Sequence, residues 1–421
     1  MPTLTPELSH EEVEQSTDTP TSLYLADTIT VGVVLVSRDQ GPEAMNDEER
    51  IKIIQEVQAG LDWLASVEHR ARLSFVYDIR PVTVNVQPGP YSGDNPYERF
   101  ESGWRDAALQ NMGYTPGRSG YQEYVNDLRT SRGTKWAYVA FFTKYPLNHF
   151  AYAIWEKIVM EYKNDNWGPD NIHRVFAHES CHIFGAADEY GNCSCGVSHG
   201  FLSAPNNNCV NCSPSGTQVD CLMNKNTTSI CEWSRKQIGW DTPVIGPIVV
   251  QDATVQQLSE HFPQTDDHQF HVAAHRWARN HKFVSGVPCH EQLNDLRGII
   301  CIPQLYADIK DATVDQLSQY FPQDNLPHFH VAAHRWAQER GYVAGVPCHE
   351  RSGDLRGIIC IKPDYAEVRD ATVDQLSQYF PQDSFHHFHV AAHRWARDNG
   401  FITGIPCHEQ SGDVRRIICI I

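Results

Sequence analysis

The chain has 421 residues, 41% of them hydrophobic and ten of them tryptophan, more than one ordinary core accommodates, so two or more globular domains are expected. The formal net charge is −18 and no basic block interrupts it, which argues against a nucleic-acid partner and against anionic membrane surfaces. No apolar run reaches the length of a transmembrane helix, so no membrane span is expected.

Residues 1–27 are polar and acidic and read as a mobile tail or a propeptide remnant, with no charged-then-apolar signal segment. Ile29 to Val36 reads as a buried strand. A helical pattern follows from Asp47 to about Val67, with Ile51, Ile54, Val57, Leu61 and Leu64 on one side. Leu73 to Val86 reads as a strand pair or one long bent strand. Amphipathic helices are expected around Tyr97–Asn111 and Gly120–Arg129, a third strong strand at Trp136–Phe142, and short edge strands within Ala151–Tyr162. Pro169 opens a helix running to Ala186. Strands alternating with helices predict an α/β layer domain over 28–240. The Pro- and Gly-containing stretch 241–250 reads as a linker.

Three copies of one unit follow, at 251–302, 310–361 and 369–421, with a period of 59 set by Asp252, Asp311 and Asp370. Each opens with a capping box (Thr254 with Gln257, Thr313 with Gln316, Thr372 with Gln375), continues through a helix carrying HVAAHRWA, and ends in a hairpin. Gly341 and Gly400 read as C-terminal caps, with Lys282 in that place in the first copy. Cys289 and Cys301 are equidistant from Asp295, Cys348 and Cys360 from Asp354, and Cys407 and Cys419 from Asp413. A symmetric hairpin would set each pair opposite, predicting one disulfide per repeat as a staple for a small α+β unit.

All 13 cysteines lie at or beyond Cys181, a distribution that predicts an oxidising, secreted or extracellular location. Cys193, Cys195, Cys209, Cys212, Cys221 and Cys231 form an even set. Their spacings allow a second, structural zinc site, but three disulfides are the preferred reading. Cys181 is the odd one and reads as a small buried residue.

The stretch HESCHIFGAADEY, from His178 to Tyr190, carries the chemistry. His178 and His182 are four apart, so a helix puts both imidazoles on one face, within reach of one Zn2+. Glu179 projects beside them as a general base. Gly185 lets the chain reverse, and Asp188 returns as a third ligand; Glu189 could compete, but the spacing favours Asp188. A fourth position remains for water, as a hydrolytic site requires.

This stretch resembles the metzincin clan of zinc endopeptidases, whose long motif is HExxHxxGxxH/D, and Cys221-Leu222-Met223 looks like that clan's Met-turn beneath the metal. The run HIFGAADEYGNCSCG…NCVNC…CLM…SRKQIGW is similar to matrixin-like microbial secreted proteases. The resemblance covers about residues 28–240. It implies a twisted mixed sheet with an active-site helix, a cleft between two subdomains, and peptide-bond hydrolysis by a zinc-activated water with Glu179 as base. The third ligand is Asp188 where His is commoner. No tyrosine closely follows Met223, so no tyrosine ligand is expected. Calcium sites are compatible with such a domain, though none is placed.

Each repeat carries a histidine pair, His271 with His275, His330 with His334 and His389 with His393, and one histidine after its first hairpin cysteine, His290, His349 or His408. Three per unit could hold a metal, but packing and hydrogen bonding between units is the weightier reading. Modules attached to an exported hydrolase suggest a binding region for a polysaccharide, cell wall or host matrix, acting by avidity. Tyr320, Tyr342 and Tyr379 are candidates to stack on sugars. The expected function is thus a secreted zinc endopeptidase acting on a protein or peptide substrate. The alternative is a binding or adhesion protein with a catalytically silent protease-like scaffold.

Overall fold

A computed structural model describes residues 21–91, 95–163, 167–214, 216–241, 244–246, 248–263, 266–322 and 325–421. The tail expected over residues 1–20 lies outside them. The chain divides into two compact units, Met1–Thr242 and Pro243–Ile421.

In chain order the first unit contains β1 (Thr28–Ser37), α1 (Asp47–Val67), β2 (Ser74–Thr83), α2 (Glu98–Asn111), α3 (Arg118–Arg132), β3 (Trp136–Thr143), β4 (Ala151–Ile154), β5 (Lys157–Glu161), α4 (Ile172–Ile183), α5 (Leu222–Lys225) and α6 (Glu232–Gln237). Five strands form a mixed sheet in the order β2-β1-β3-β5-β4. β1 pairs parallel with both β2 and β3, which is why its apolar run is unbroken: both of its faces are covered. β5 continues parallel to β3, and β4 turns back antiparallel at the edge. α1 and α4 pack together, and they approach so closely at Gly60 that a Cβ there would lie 2.4 Å from the His173 carbonyl oxygen. Glu56 on α1 accepts from the His173 backbone N–H at 3.0 Å, fixing the start of α4.

Two domain boundaries differ from the sequence reading. Residues 21–27 belong to the core rather than to a mobile tail. Tyr24 and Leu25 are buried, the Leu25 N–H donates to the Ile238 carbonyl at 2.8 Å, and Trp240 Nε1 donates to the Leu25 carbonyl at 2.6 Å. The stretch 241–250 is not a free linker either. Val244, Ile245 and Ile248 are buried, and the Val244 carbonyl accepts from the Leu305 N–H at 3.0 Å within the second unit.

In the second unit each repeat has one opening strand (Val249–Thr254, Ala307–Thr313, Ala366–Thr372), a short capped helix, a long helix (Asp267–Asn280, Leu326–Gln338, Phe385–Asp398) and a hairpin. The opening strand pairs with the last strand of its own hairpin. The predicted cap positions have positive φ, 84° at Gly341, 88° at Gly400 and 68° at Lys282, a conformation that disfavours the lysine. The repeats close on one another: Arg276 pairs with Glu350 at 2.6 Å, Arg335 with Glu409 at 2.5 Å, and Arg394 with Glu291 at 2.7 Å, so repeat one engages two, two engages three, and three engages one. One shared apolar core, including Val287, Val346, Ile405, Ile300, Ile359 and Ile418, lies between them.

The hairpin disulfides expected from symmetry are absent: Cys289, Cys301, Cys348, Cys360, Cys407 and Cys419 are all buried free thiols. The two-residue turn is the reason: it pairs Leu293 with Leu296, Ser352 with Leu355 and Ser411 with Val414, one residue off a mirror about the aspartate, and a β-bulge then shifts each hairpin by two more. Beyond it Cys301 faces Gly286, Cys360 faces Gly345 and Cys419 faces Gly404. Cys289, Cys348 and Cys407 face the shared core, whereas Cys301, Cys360 and Cys419 face the helices of their own repeats, on the other side of the sheet. An odd shift in register exchanges the faces of a strand. The shared core takes over the stabilising role that a staple would have had.

Tyr320, Tyr342 and Tyr379 are half-buried against the cores of their repeats, and the first two hydroxyls donate to Glu339 and Asp308. They do not form an exposed stacking platform.

The second histidine of each helical pair turns into its own repeat. His275 Nδ1 meets Ser285 Oγ at 2.8 Å and His393 Nδ1 meets Thr403 Oγ1 at 2.7 Å. The second repeat has Ala344 in that place, and both ring nitrogens of buried His334 lack a partner. Ala344→Ser is therefore expected to stabilise the protein by about 1 kcal/mol in urea unfolding; an unchanged or lowered midpoint would contradict this account. Burial, opposed by Glu350 and Glu409 respectively, pulls His275 and His334 down to about 4. The unfolded chain therefore binds more protons than the folded one below about pH 6.5. The contribution is complete above that value and lost as pH falls towards 4, by roughly 2 kcal/mol per histidine between pH 7 and pH 5. Unfolding free energies measured at those two pH values check this; equal values would refute it.

Candidate metal centre

α4 is preceded by a 3-10 turn at Pro169–Asn171 and stops at Ile183, shorter at both ends than the sequence pattern suggested. Gly185, at φ 92°, then reverses the chain; a Cβ at that position would lie 2.6 Å from Gly200 Cα. The reversal brings Asp188 back to the two helical imidazoles. His178 Nε2 lies 3.0 Å from His182 Nε2, and Asp188 Oδ1 lies 3.1 and 3.2 Å from them. Donor atoms about 2.1 Å from a tetrahedral ion stand about 3.4 Å apart, so the three atoms outline one vertex-sharing face around a common point. These residues could hold a metal ion.

The imidazoles are oriented from behind. His178 Nδ1 is 2.9 Å from the Leu222 carbonyl and His182 Nδ1 is 2.8 Å from the Ala186 carbonyl. Each carbonyl calls for a proton on Nδ1, which leaves the Nε2 lone pair directed at the centre. Leu222 belongs to the turn singled out as Cys221-Leu222-Met223. Met223 is fully buried there, and its carbonyl accepts from the Glu189 N–H at 3.0 Å.

Glu179 is 6% exposed and its carboxyl is pushed up by burial, with His178 and His182 opposing. Cys181, on the same helix, is 1% exposed and unpaired; burial pushes its thiol up, as for an inert core residue. Neighbouring Ser180 Oγ meets Tyr138 OH of β3 at 2.9 Å, tying α4 to the sheet.

Three residues near the centre were not singled out from sequence. The Tyr190 ring is 6.2 Å from the His178 ring and its hydroxyl bonds to Asp188. Tyr97 lies close enough for Glu179 and Asp188 to raise its hydroxyl, after burial. His149 acts on the Glu179 charge, and its Nδ1 lies 2.8 Å from the Ala151 carbonyl at the start of β4. Tyr190 closes the recognised stretch and could have been flagged; Tyr97 and His149 are remote in sequence and carry no local signal.

The Glu189 carboxylate does not join His178, His182 and Asp188. It is buried, accepting from Asn208 Nδ2 at 2.6 Å, Ser234 Oγ at 2.7 Å and Cys231 Sγ at 2.8 Å. Of the six cysteines around it, four form disulfides, Cys193–Cys209 and Cys195–Cys212. Cys221 and Cys231, expected to make a third, are not joined. The Cys231 thiol donates to Glu189, and Cys221 Sγ accepts from the backbone N–H groups of Met223 at 3.5 Å and Cys231 at 3.2 Å. Both sulfurs are thereby engaged in capping and in solvating the buried carboxylate.

No protein-family model matches this chain, and no curated protein matches it. Among the described residues no helix is long and apolar enough to cross a membrane.

Proposed function

We propose that the first unit is a zinc-dependent endopeptidase, exported from the cell. The observation that carries this reading is the convergence of His178 Nε2, His182 Nε2 and Asp188 Oδ1 within 3.2 Å of one another, with Glu179 adjoining on the same helix. Zinc bound there would polarise a scissile carbonyl and acidify a water. Glu179 accepts the proton of the attacking water and returns it to the leaving amine. Leu222 and Ala186 hold the imidazoles in the ligating tautomer. Tyr190, whose hydroxyl bonds to Asp188, and Tyr97 are the hydroxyl groups near the centre that would serve as donors to a carbonyl oxygen gaining negative charge. β4 packs against α4 at the sheet edge, and an extended peptide adding to it would run past Glu179. The two disulfides support an oxidising compartment.

The test is cleavage of a broad peptide library by the full chain loaded with zinc, with and without a chelator. Cleavage that chelator removes and added zinc restores is the expected result. A folded, zinc-loaded chain that cuts no internal peptide bond would overturn the proposal.

A further inference from the structure

The second unit gathers six histidines that the first unit's chemistry does not use. His271, His330 and His389, one from each long helix, form a near-equilateral triangle with ring centroids 5.8, 5.8 and 5.9 Å apart. Each meets the hairpin histidine of its own repeat Nε2 to Nε2: His271 with His290 at 3.3 Å, His330 with His349 at 3.2 Å, and His389 with His408 at 3.1 Å. Each also faces the hairpin histidine of a neighbouring repeat, with centroids at 4.5 Å for His271–His349, 4.8 Å for His330–His408 and 4.7 Å for His389–His290. None of the six is more than 5% exposed.

Three features separate this cage from ordinary core packing. First, the hairpin histidines occupy the bulges with φ of 60°, 63° and 60°, a left-handed conformation that costs a non-glycine residue energy. The same strain recurs three times, and each time it aims an imidazole inward. Second, two neutral imidazoles meeting through Nε2 share one proton, so one ring of each pair must carry its N–H on Nδ1. The Nδ1 atoms of buried His290 and His349 have no hydrogen-bond partner, a costly arrangement unless the Nε2 lone pairs gain something larger. Third, the ligand nitrogens of His271, His330 and His349 lie within 4.8 Å of one another, as do those of His271, His290 and His389.

We propose that this cage binds a late first-row divalent transition-metal ion of the nickel and zinc class. The donors are all neutral imidazole nitrogens, with neither carboxylate nor thiolate among them, which suits such ions and disfavours calcium and magnesium. Nitrogens about 2.1 Å from an octahedral ion stand about 3.0 Å apart at adjacent positions, close to the spacing within each pair. Half-buried His268 and His386 touch His349 and His290, with centroids at 5.2 and 4.6 Å, and supply an entry route. Each of the two nitrogen triads joins two repeats, so an ion held in either would also tie those repeats together.

The experiment measures Ni2+ and Zn2+ binding to the full chain, stripped by chelator, in a His182→Ala background that disables the centre in the first unit. About one equivalent of either ion should remain bound per chain. It should be lost in His271→Gln and in His349→Gln, each checked for folding by circular dichroism, and kept in His275→Gln, one turn along the same helix. X-ray absorption of the nickel-loaded chain should show imidazole scattering and no sulfur. A His182→Ala chain that binds neither ion overturns the proposal, as does an equivalent that survives both substitutions in folded protein. Peptide cleavage does not enter these readouts, so the outcome is independent of the peptidase assignment.

Discussion

Glu179→Gln should lower kcat for peptide hydrolysis by roughly a thousandfold, within the range that general acid–base catalysis contributes, while zinc occupancy and the unfolding transition stay as in the parent. The amide is isosteric with the carboxylate but cannot accept a proton at neutral pH. The ligand atoms of His178, His182 and Asp188 are untouched, and the carbonyls of Leu222 and Ala186 still orient the rings. The contrasting variant is Asp188→Ala, which removes the third ligand and should cost zinc as well as turnover. Kinetics measured beside metal content separate the two: full zinc with lost turnover for Glu179→Gln, lost zinc for Asp188→Ala. Turnover retained in Glu179→Gln would remove Glu179 from the mechanism.

The second large effect concerns stability. Glu101 on α2 is fully buried, and its carboxylate meets Arg105 on the same helix, Lys157 on β5 and Tyr152 on β4, whose hydroxyl donates at 2.5 Å. Lys157 is 1% exposed and Arg105 2%. Glu101 is thus the buried carboxylate shared by two buried cations, with Glu98 also 3.6 Å from Lys157, and it anchors the edge strand beside α4. Burial pulls the Lys157 ammonium down against the attraction of Glu101, so without Glu101 it would shed its proton readily. The Arg105 guanidinium cannot, although Glu98 at 2.7 Å and Asp106 at 2.8 Å retain part of its pairing. Glu101→Ala is expected to destabilise the first unit by about 3–5 kcal/mol, the cost of breaking a buried pair from one side. Calorimetry should show that unit's transition falling by roughly 10 °C. The second unit's transition should not move. A shift of less than about 2 °C would mean that the cluster is solvated or neutral in the folded protein.

Much of the local order was legible in the residues. The unbroken apolar runs of β1 and β3 follow from strands covered on both faces, and α1 spans the predicted residues because Asn46 caps it with a reciprocal bond from Glu49. The three capping boxes of the repeats are likewise short-range and formed as read. Four residues are close to one helical turn, so the approach of His178 and His182 is a property of α4 alone.

Only tertiary structure decided the rest, because it depends on register and closure. The hairpin cysteines look paired when the turn is taken as a mirror about its aspartate, but the two-residue turn sets the register one residue away and puts them on opposite faces, and a bulge then adds a shift of two. That bulge has no composition of its own in the sequence beyond a histidine that must accept a positive φ. Burial of residues 21–27 required Trp240, more than two hundred residues away, to offer its indole N–H to Leu25. The six-histidine cage is likewise absent from any one repeat. Sequence spacing pairs His271 with His275 on one helix, whereas the closed ring of three repeats sends His275 to Ser285 and brings His271 to His330 and His389. Periodicity determines which side chains share a helix face; only the packing of distant segments determines what that face meets.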